Sequence, residues 1–310
     1  MMPEKSPSPR GNVLPEKSPI VVVDRQSGKT FEEAVLGEKW IRWAYQDAGS
    51  GLVERLLFRS SLFSRLMGLY YDSPLSKGKI DSVIAELAID RSEFAEPAQY
   101  GSFNEFFIRR LKMETRPFDQ DPKALVSPAD GRVLVFPRLD GDAFAPVKGF
   151  PFSMKKMLGP QAERFQNGAL AIVRLCPSDY HRYHFPCAGS ISHYQDIPGA
   201  LHSVNPIALA SGADVFGDNK RSVTLIETEA FGTLAYVEVG AFGVGSIVNT
   251  KREGRVEKMD EKGYFKFGGS TVVLVFEPGK ITFSTDLVAN SLAGRETLVK
   301  VGQTLATSNA

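Results

Sequence analysis

The architecture of this chain follows from one segment near its C-terminus, Phe267-Gly-Gly-Ser-Thr-Val-Val-Leu-Val-Phe276. Its second half, Val272–Phe276, is a short apolar run rich in β-branched residues, which predicts a buried strand. Gly268 and Gly269 have no Cβ, so the backbone before this strand can form a bulge or a tight turn. The turn is either a structural irregularity or a reactive site. In the second interpretation a base removes the Ser270 proton, and the serine oxygen attacks the carbonyl of the preceding glycine.

Similar short runs, separated by Gly, Pro, Asp and Asn, precede this strand along the chain. They are Gly131–Phe136, Ala169–Leu175, Ser222–Glu227, Leu234–Val239 and Ser246–Thr250. Because the runs recur about every ten residues with turn signals between them, they predict an antiparallel barrel or sandwich rather than βαβ units.

The region from residue 31 to about residue 111 has a different pattern, with few prolines and with apolar residues at helical offsets. Short helices are predicted at Asp81–Ala95 and at Ser102–Leu111. Ser102 and Glu105 have the spacing of a capping box, which favours a helix start at that serine.

We therefore expect an α+β fold, with an N-terminal helical region followed by an antiparallel, β-rich catalytic body of barrel or sandwich type. Residues 1–30 are predicted to be a mobile tail of Pro, Ser and Lys that ends in a short strand at Ile20–Val23. Residues 31–111 are predicted to be helical and to contact a membrane, and residues 112–310 to form the catalytic domain.

Composition excludes several classes of protein. The 310 residues include 37 Lys+Arg and 36 Asp+Glu, so the net charge of +1 argues against a nucleic-acid partner. Two cysteines are too few for a disulfide scaffold and indicate a reducing compartment. The sequence contains no apolar run of about 18–20 residues that could span a bilayer, and no signal peptide is recognisable.

The segment Val53–Tyr71 is basic and rich in large apolar residues. It has two interpretations, a helix in a membrane interface with its arginines at lipid phosphates, or a helix packed on the rest of the protein. Trp40 and Trp43 are either interfacial anchors or core aromatics.

The four histidines of the chain are His181, His184, His193 and His202. The first two lie in Cys176-Pro-Ser-Asp-Tyr-His-Arg-Tyr-His-Phe-Pro-Cys187, whose thiols and imidazoles are ligand types that zinc accepts. Their spacing differs from that of known zinc sites, and we expect no metal. The remaining interpretations are histidines hydrogen-bonded in a structural turn and histidines that take part in catalysis.

Ser127-Pro-Ala-Asp-Gly131 is a turn signal, and an Asp in a turn often only caps its own backbone. The functional interpretation of Asp130 is a carboxylate that orients a histidine, as in a Ser-His-Asp arrangement. Ser270 would be the nucleophile of such an arrangement. It does not lie in a G-x-S-x-G elbow, however, because Gly268 and Val272 flank it.

Taken together and in this order, the segments resemble the phosphatidylserine decarboxylases, which are pyruvoyl-dependent phospholipid enzymes. The resemblance extends from about Phe103 to Leu305. The matching segments are Phe106-Phe-Ile-Arg-Arg-Leu-Lys112 with Arg116-Pro117, Ser127-Pro-Ala-Asp-Gly131, Ser178-Asp-Tyr-His-Arg-Tyr-His-Phe-Pro186, Ser203-Val-Asn205, Val239-Gly-Ala-Phe-Gly-Val-Gly-Ser-Ile247 and Phe265-Lys-Phe-Gly-Gly-Ser-Thr271. The residue before the Gly-Ser-Thr core is often Leu in that family, whereas Gly268 here resembles the Gly-Gly-Ser-Thr branch.

The resemblance implies a proenzyme that cuts itself. Ser270 would attack Gly269, the amide would become an ester, and β-elimination followed by hydrolysis would leave a pyruvoyl group on residue 270. His184 is implied as the base and Asp130 as the residue that orients it. The products would be a β chain of residues 1–269 and an α chain of residues 270–310.

The implied activity is the decarboxylation of phosphatidylserine to phosphatidylethanolamine. The pyruvoyl ketone would form a Schiff base with the serine amine of the lipid and accept the electrons as CO2 leaves. His181 is the candidate donor of a proton to the α-carbon, since an imidazole with a pKa near roughly 6.5 can exchange protons at neutral pH. A lipid substrate also favours the membrane interpretation of Val53–Tyr71.

The expected location is the cytoplasmic face of the cytoplasmic membrane, as a peripheral protein. The expected partners are phosphatidylserine, the membrane surface and the two chains of one precursor, without nucleic acid, and a homodimer stays open. Two other classes remain as alternatives. One is a Ser-His-Asp hydrolase that acts on an external ester or amide, and the other is a noncatalytic membrane-binding module whose histidines bind zinc or nothing.

The remaining candidates are assigned no chemistry. His193, His202, Cys176 and Cys187 are expected to be structural. The residues that bind the lipid phosphate stay unidentified at this point, although Arg182 and Lys148 are available cations.

Overall fold

The computed structural model describes residues 21–33, 61–95, 99–139, 153–202, 215–243 and 246–310. Several predicted features lie outside the described residues. They are the tail at 1–20, the two tryptophans, the first part of the basic segment at 53–60, Lys148 and Ser203-Val-Asn205.

A ten-stranded sheet forms the centre of the described chain. With strands numbered along the sequence, its order from one edge to the other is β11 (Gly254–Val256), β7 (Gly189–Ile197), β8 (Arg221–Thr228), β9 (Gly232–Gly243), β13 (Gly268–Phe276), β5 (Ala169–Leu175), β4 (Gly131–Phe136), β15 (Glu296–Val299), β1 (Val21–Asp24) and β2 (Thr30–Glu32). Neighbouring strands are antiparallel, except that β1 runs parallel to β15. The short strand predicted near residue 20 therefore belongs to the same sheet as the catalytic body.

Two three-stranded sheets complete the β structure of the described ranges. One contains β10 (Ile247–Asn249), β12 (Glu261–Phe265) and β6 (Arg182–His184), and the other contains β14 (Ile281–Phe283), β16 (Thr304–Ser308) and β3 (Ala124–Val126). Side chains of both small sheets share one hydrophobic cluster with one face of the large sheet. The α+β class is confirmed, but the barrel alternative is wrong, because the large sheet is open and the small sheets are layered on it.

Short helices occupy the region before the catalytic body and the connections between strands. They are α1 (Ser61–Asp72), α2 (Ile80–Glu86), α3 (Phe103–Phe107), α4 (Met154–Leu158), α5 (Val215–Asp218) and α6 (Thr285–Leu292), with 3-10 turns at Pro74–Lys79, Arg91–Glu93, Met113–Thr115 and Gly159–Phe165. Within the ranges described above, every helix is too short or too polar to cross a bilayer.

The two predicted helices were confirmed in part. The Ser102 hydroxyl accepts a hydrogen bond from the Glu105 amide at 3.2 Å and caps α3, as the capping-box spacing predicts. The helix predicted at Asp81–Ala95 is instead α2 followed by a separate 3-10 turn. Ala88 lies between them with φ of 50°, a left-handed conformation that no α-helix can contain.

Strand β13 explains how the sheets are layered. It lies between β9 and β5, so its backbone is hydrogen-bonded on both sides. Its side chains alternate between two buried faces: Val272 and Leu274 point to the face covered by the small sheets, and Val273 and Val275 point to a second cluster that includes α4. A strand buried on both faces requires an almost continuous apolar sequence, which the run Val272–Phe276 supplies.

A buried ion pair joins the large sheet to the small sheet that contains β6. Lys262 on β12 donates hydrogen bonds to Glu238 on β9 and, at 2.8 Å, to the side-chain oxygen of Asn249 on β10. Both charged side chains are 0% exposed. Two opposite charges buried away from solvent stabilise each other, whereas either charge buried alone would destabilise the fold.

We therefore expect Lys262→Met to be strongly destabilising, because it leaves the Glu238 carboxylate buried without its cation. The free energy of unfolding should fall by about 3–5 kcal/mol. The double variant Glu238→Leu/Lys262→Met should recover most of this loss, since both charges are removed together. Urea unfolding of the full chain carrying Ser270→Ala measures these differences.

Arg91→Met serves as the matched control, because it breaks an ion pair with Asp81 whose side chains are 58% and 87% exposed. Its cost should stay below about 1 kcal/mol. A Lys262→Met variant no less stable than this control would contradict the prediction.

Candidate active site at Ser270

Ser270 lies in the interior of the protein, near the start of β13. It is 0% exposed and pairs with Leu175 on β5 and with Gly240 on β9. The ladder to β9 is irregular just before it, because two steps along β13, from Gly268 to Ser270, match three steps along β9, from Gly243 to Gly240. Gly268 has φ of 143°, which L side chains rarely adopt. The Gly269–Ser270 bond thus lies where the sheet departs from regular geometry.

The side chain of Ser270 points to the same face as Val272 and Glu238, since directly paired and alternate residues share one side of a sheet. This face is covered by Tyr183 and Phe265 of the small sheet that also carries His184. The Ser270 hydroxyl is buried and has no hydrogen-bond partner. A buried hydroxyl without a partner costs roughly 1–3 kcal/mol, and such a cost is typical of groups kept for reactivity.

His184, the last residue of β6, is held in one protonation state. Its Nδ1 lies 2.9 Å from the carbonyl oxygen of Met259. A carbonyl oxygen can only accept, so Nδ1 carries the proton and the unpartnered Nε2 carries the lone pair. Burial lowers the pKa of His184 below its ordinary value, which keeps the ring neutral. The residue can therefore act as a base at Nε2.

His181 precedes β6 and follows a turn at residues 177–179. Because it lies outside the strand, strand alternation does not determine the direction of its side chain relative to that of His184. Its Nδ1 donates to the carbonyl oxygen of Asp179 at 3.0 Å, and its ring packs against Phe107 in a tilted arrangement with centroids 3.8 Å apart. Burial lowers its pKa to about 3. The expectation of an ordinary pKa near 6.5 is wrong for the uncut chain, in which His181 is neutral with a free lone pair at Nε2.

Asp130 is buried, and its carboxylate accepts hydrogen bonds from Arg116 and from the Val301 amide. The Arg116 guanidinium binds it at 2.6 Å through Nη2 and at 3.1 Å through Nε, and the Val301 amide lies at 2.8 Å. The expected hydrogen bond between Asp130 and His184 is absent, because the Nδ1 proton goes to Met259. Asp130 still acts on this histidine through space, since its charge opposes the effect of burial on the pKa.

The backbone before the Gly269–Ser270 bond is anchored to the helical region. The side-chain oxygen of Asn104 in α3 accepts a hydrogen bond from the Phe267 amide at 2.8 Å, and the Asn104 amide group donates to Asp72 at 2.9 Å. Lys266 also binds Asp72, at 2.9 Å. Helix α3 therefore fixes the segment that leads to the serine, a role that no local sequence pattern indicated.

A partly open cavity of about 270 Å³ reaches the buried charges from outside. It is lined by Asp130, Arg116, Glu93, Lys300, Asp179 and Tyr180, among others. Arg182, considered for the lipid phosphate, is bound to the Ile108 carbonyl at 2.8 Å and to Glu261 at 2.7 Å, so its charge is already compensated.

The remaining candidates have structural surroundings. Burial raises the pKa of Cys176 well above its ordinary value and that of Cys187 to about 12, so both are thiols. His193 lies half-buried on β7, and His202 is buried. In the described part of the chain, no three His, Cys, Asp or Glu side chains converge as metal ligands would.

The family model described as phosphatidylserine decarboxylase matches residues 103–307, which include Ser270, both histidines and Asp130. The chain belongs to the phosphatidylserine decarboxylase family. It is accordingly a decarboxylase, that is, a carboxy-lyase. The match begins at Phe103, the first residue of α3, so the helix that anchors the serine segment belongs to the shared core.

Three relatives named phosphatidylserine decarboxylase proenzyme are similar along almost their whole length. The protein of Clostridium perfringens (strain SM101 / Type A) is 41% identical over 92% of this chain and 99% of the relative. That of Chlamydia trachomatis serovar L2 is 41% identical over 92% of this chain and 96% of the relative. That of Clostridium kluyveri is 42% identical over 89% of this chain and 95% of the relative.

Acid should destabilise this fold, because the unfolded chain binds protons at histidines that the folded chain keeps neutral. The folded pKa of His181 is about 3 and its ordinary value is 6.5, so its contribution is complete above pH 6.5 and is lost as pH falls toward 3. Each such histidine adds up to about 1.4 kcal/mol per pH unit to the slope. Urea unfolding of the Ser270→Ala chain between pH 7 and pH 5 measures it.

Replacing the buried ring by His181→Asn should flatten the slope, whereas His193→Asn, at a half-buried position on β7, should leave it unchanged. Equal slopes in both variants would show that His181 is not held neutral.

Proposed function

We propose that the chain is a phosphatidylserine decarboxylase made as a precursor, which cuts itself between Gly269 and Ser270 to generate a pyruvoyl group. One observation carries the proposal: the Ser270 hydroxyl is buried and has no partner, and it lies beside the irregular step of the ladder between β13 and β9. The Gly269 carbonyl is next to this hydroxyl along the backbone, and burial keeps bulk solvent from competing for it. The name proenzyme, given to the relatives, supports the same conclusion.

The cleavage needs only groups of this chain and one water. The Ser270 Oγ–H bond breaks as His184 Nε2 takes the proton, and a bond forms between Oγ and the carbonyl carbon of Gly269. The peptide C–N bond then breaks, and the nitrogen of residue 270 receives the proton from His184, which leaves an ester. Loss of the α-proton of residue 270 expels the Gly269 carboxylate. Hydrolysis of the resulting enamine releases ammonia and leaves the pyruvoyl group.

Asp130 supports the base by charge rather than by contact. When His184 accepts the serine proton it becomes a cation in a dry environment, and a nearby carboxylate lowers the free energy of that cation. The hydrogen bonds from Arg116 and Val301 hold the Asp130 carboxylate fixed in place. We therefore retain Asp130 as a site residue and assign it electrostatic stabilisation.

The proposed site residues fit a pyruvoyl group, because Ser270 Oγ, His184 Nε2 and His181 Nε2 are all buried without a hydrogen-bond partner. The group would supply a ketone that binds the lipid amine and accepts the electrons released with CO2.

His181 is proposed to move the proton of the decarboxylation. A ring with a free lone pair at Nε2 must first accept a proton, and the ammonium group of the lipid has to lose one before it can react. The same proton can then be returned to the α-carbon. This order replaces the simple donor role expected from an ordinary pKa, because His181 is neutral in the uncut chain.

Peripheral attachment to a membrane surface is supported by exposed leucines near the C-terminal part of the basic segment. Leu66 and Leu69 on α1 are 57% and 63% exposed, and Leu75 in the following turn is 83% exposed. Lys77 and Lys79 lie exposed in the same turn. Apolar side chains beside cations favour the interface of an anionic bilayer.

Intact mass spectrometry of the purified full chain tests the cleavage. We expect a fragment of about 4 kDa that corresponds to residues 270–310 and is about 17 Da lighter than simple hydrolysis would leave, because the terminal amine has become a ketone. Ser270→Ala should remain one chain of 34.0 kDa. The control Ser284→Ala, at another serine of the same fragment, should be cut like the wild type.

An uncut wild-type chain that reacts with a fluorophosphonate at Ser270 would favour the hydrolase instead. An uncut chain without such reactivity would favour the noncatalytic module. A cut chain should release CO2 from phosphatidylserine in mixed vesicles, and a cut chain that leaves this lipid unchanged would contradict the substrate.

Sedimentation with vesicles of phosphatidylserine and phosphatidylcholine tests the membrane contact. In the Ser270→Ala chain, Leu66→Ser/Leu69→Ser should weaken vesicle binding about tenfold or more, since the bilayer interface loses two leucine side chains that it would otherwise bury. Leu292→Ser removes a leucine that is 82% exposed on α6 and should change nothing. Equal binding by both variants would exclude α1 as the contact.

A further inference from the structure

Arg109 holds the turn that carries His181. It follows α3 and is 4% exposed. Its Nη2 donates to the carbonyl oxygens of Ser178 and Asp179, both at 3.0 Å. The guanidinium carbon lies 5.1 Å from the ring centroids of Phe94 and Phe106, so aromatic faces surround the charge.

The carbonyl of Asp179 is shared between two donors. It accepts from Arg109 Nη2 at 3.0 Å and from His181 Nδ1 at 3.0 Å. A carbonyl oxygen has two lone pairs and no proton to give, so it can satisfy both donors only if His181 carries its proton on Nδ1. The position of this one oxygen therefore determines the tautomer of the histidine.

The same turn is fixed from its other side. The Asp179 carboxylate accepts hydrogen bonds from Arg132 and, at 2.6 Å, from the amide of Cys176. With the side chain of Asp179 held by Arg132 and its carbonyl held by Arg109, the peptide group that faces His181 has little freedom to rotate.

A buried arginine is an expensive choice for packing alone. Nε and Nη1 of Arg109 are buried without partners, which an apolar residue of similar size would avoid. Its positive charge near His181 also opposes protonation of the ring. The charge thus favours a neutral histidine, which gives the buried arginine a role beyond packing.

We propose that Arg109 is a positioning residue for His181, which fixes the Asp179 carbonyl and thereby holds the imidazole as the neutral Nδ1–H tautomer. The part of this proposal that concerns turnover rests on the proposed function, in which His181 Nε2 must accept a proton first. The tautomer itself does not depend on that function and can be measured in the uncut chain.

Imidazole nitrogen NMR of the 15N-histidine-labelled Ser270→Ala chain provides the first test. Only four histidines are present, and His181→Asn identifies the signal. We expect His181 to be the neutral Nδ1–H tautomer throughout pH 5–8. A wild-type His181 found as the Nε2–H tautomer, or protonated near pH 6.5, would overturn the proposal.

Substitution of the guanidinium provides the second test. Arg109→Gln removes the positive charge and the guanidinium donor that binds the Ser178 and Asp179 carbonyls. The Nε2–H tautomer or the protonated ring of His181 should therefore appear between pH 5 and pH 8. Arg109→Lys keeps a charged donor and should retain most of the Nδ1–H form. Arg110→Gln is the matched control, because the neighbouring arginine is 66% exposed and binds Glu261 instead. An unchanged His181 in a folded Arg109→Gln chain would also overturn the proposal.

Kinetics on the wild-type serine background separate positioning from general structure. We expect Arg109→Gln to be cut into two chains and to show a kcat for decarboxylation reduced about 10–100-fold with little change in KM. Arg109→Lys should recover part of kcat. A lower kcat without any change in the tautomer would contradict the role given to Arg109. A changed tautomer in a protein that decarboxylates no lipid would instead contradict the proposed function alone.

Discussion

The position of β13 in the middle of the large sheet constrains everything else in the site. The strand is paired on both sides and packed on both faces, and Ser270 is 0% exposed, so in the described part of the uncut chain its hydroxyl is surrounded by groups of its own protein. The base for this serine must then come from the protein itself, and we propose that His184 on β6 provides it. Burial away from bulk solvent also strengthens the electrostatic interactions around this serine.

Arginines and lysines hold the parts of this site together at points where the sheets and turns would otherwise be free to shift. Arg116 fixes Asp130, Arg109 fixes the turn of His181, and Lys262 joins the two layers through Glu238. Each of these cations is buried, and each donates a hydrogen bond to an oxygen of a proposed site residue, of the turn before one, or of a neighbouring layer. The interior is therefore organised by charge as well as by apolar packing.

The sequence predicted what depends on local pattern. The strands Gly131–Phe136 and Ala169–Leu175 have the expected bounds, and Ser102 caps its helix, because strand propensity and capping are decided by neighbours along the chain. The resemblance identified the family.

The partners that lie far away in sequence escaped prediction. His184 binds the Met259 carbonyl across 75 positions, and β1 pairs with β15 across almost the whole chain. No periodicity encodes such a choice, since it depends on how layers pack, and the low pKa of His181 depends on burial that only the folded protein creates.

The interleaving of the strands has a consequence for the life of the proposed two-chain enzyme. Residues 270–310 provide most of β13 between β9 and β5, all of β15 between β4 and β1, and all of β16 between β14 and β3. After the cut no peptide bond joins this fragment to the rest of the protein. Its strands are still hydrogen-bonded between other strands in two sheets, so it cannot dissociate without unfolding both. Refolding would become a bimolecular reaction that depends on concentration. Folding must therefore be completed before maturation, and a mature molecule that unfolds is in practice lost.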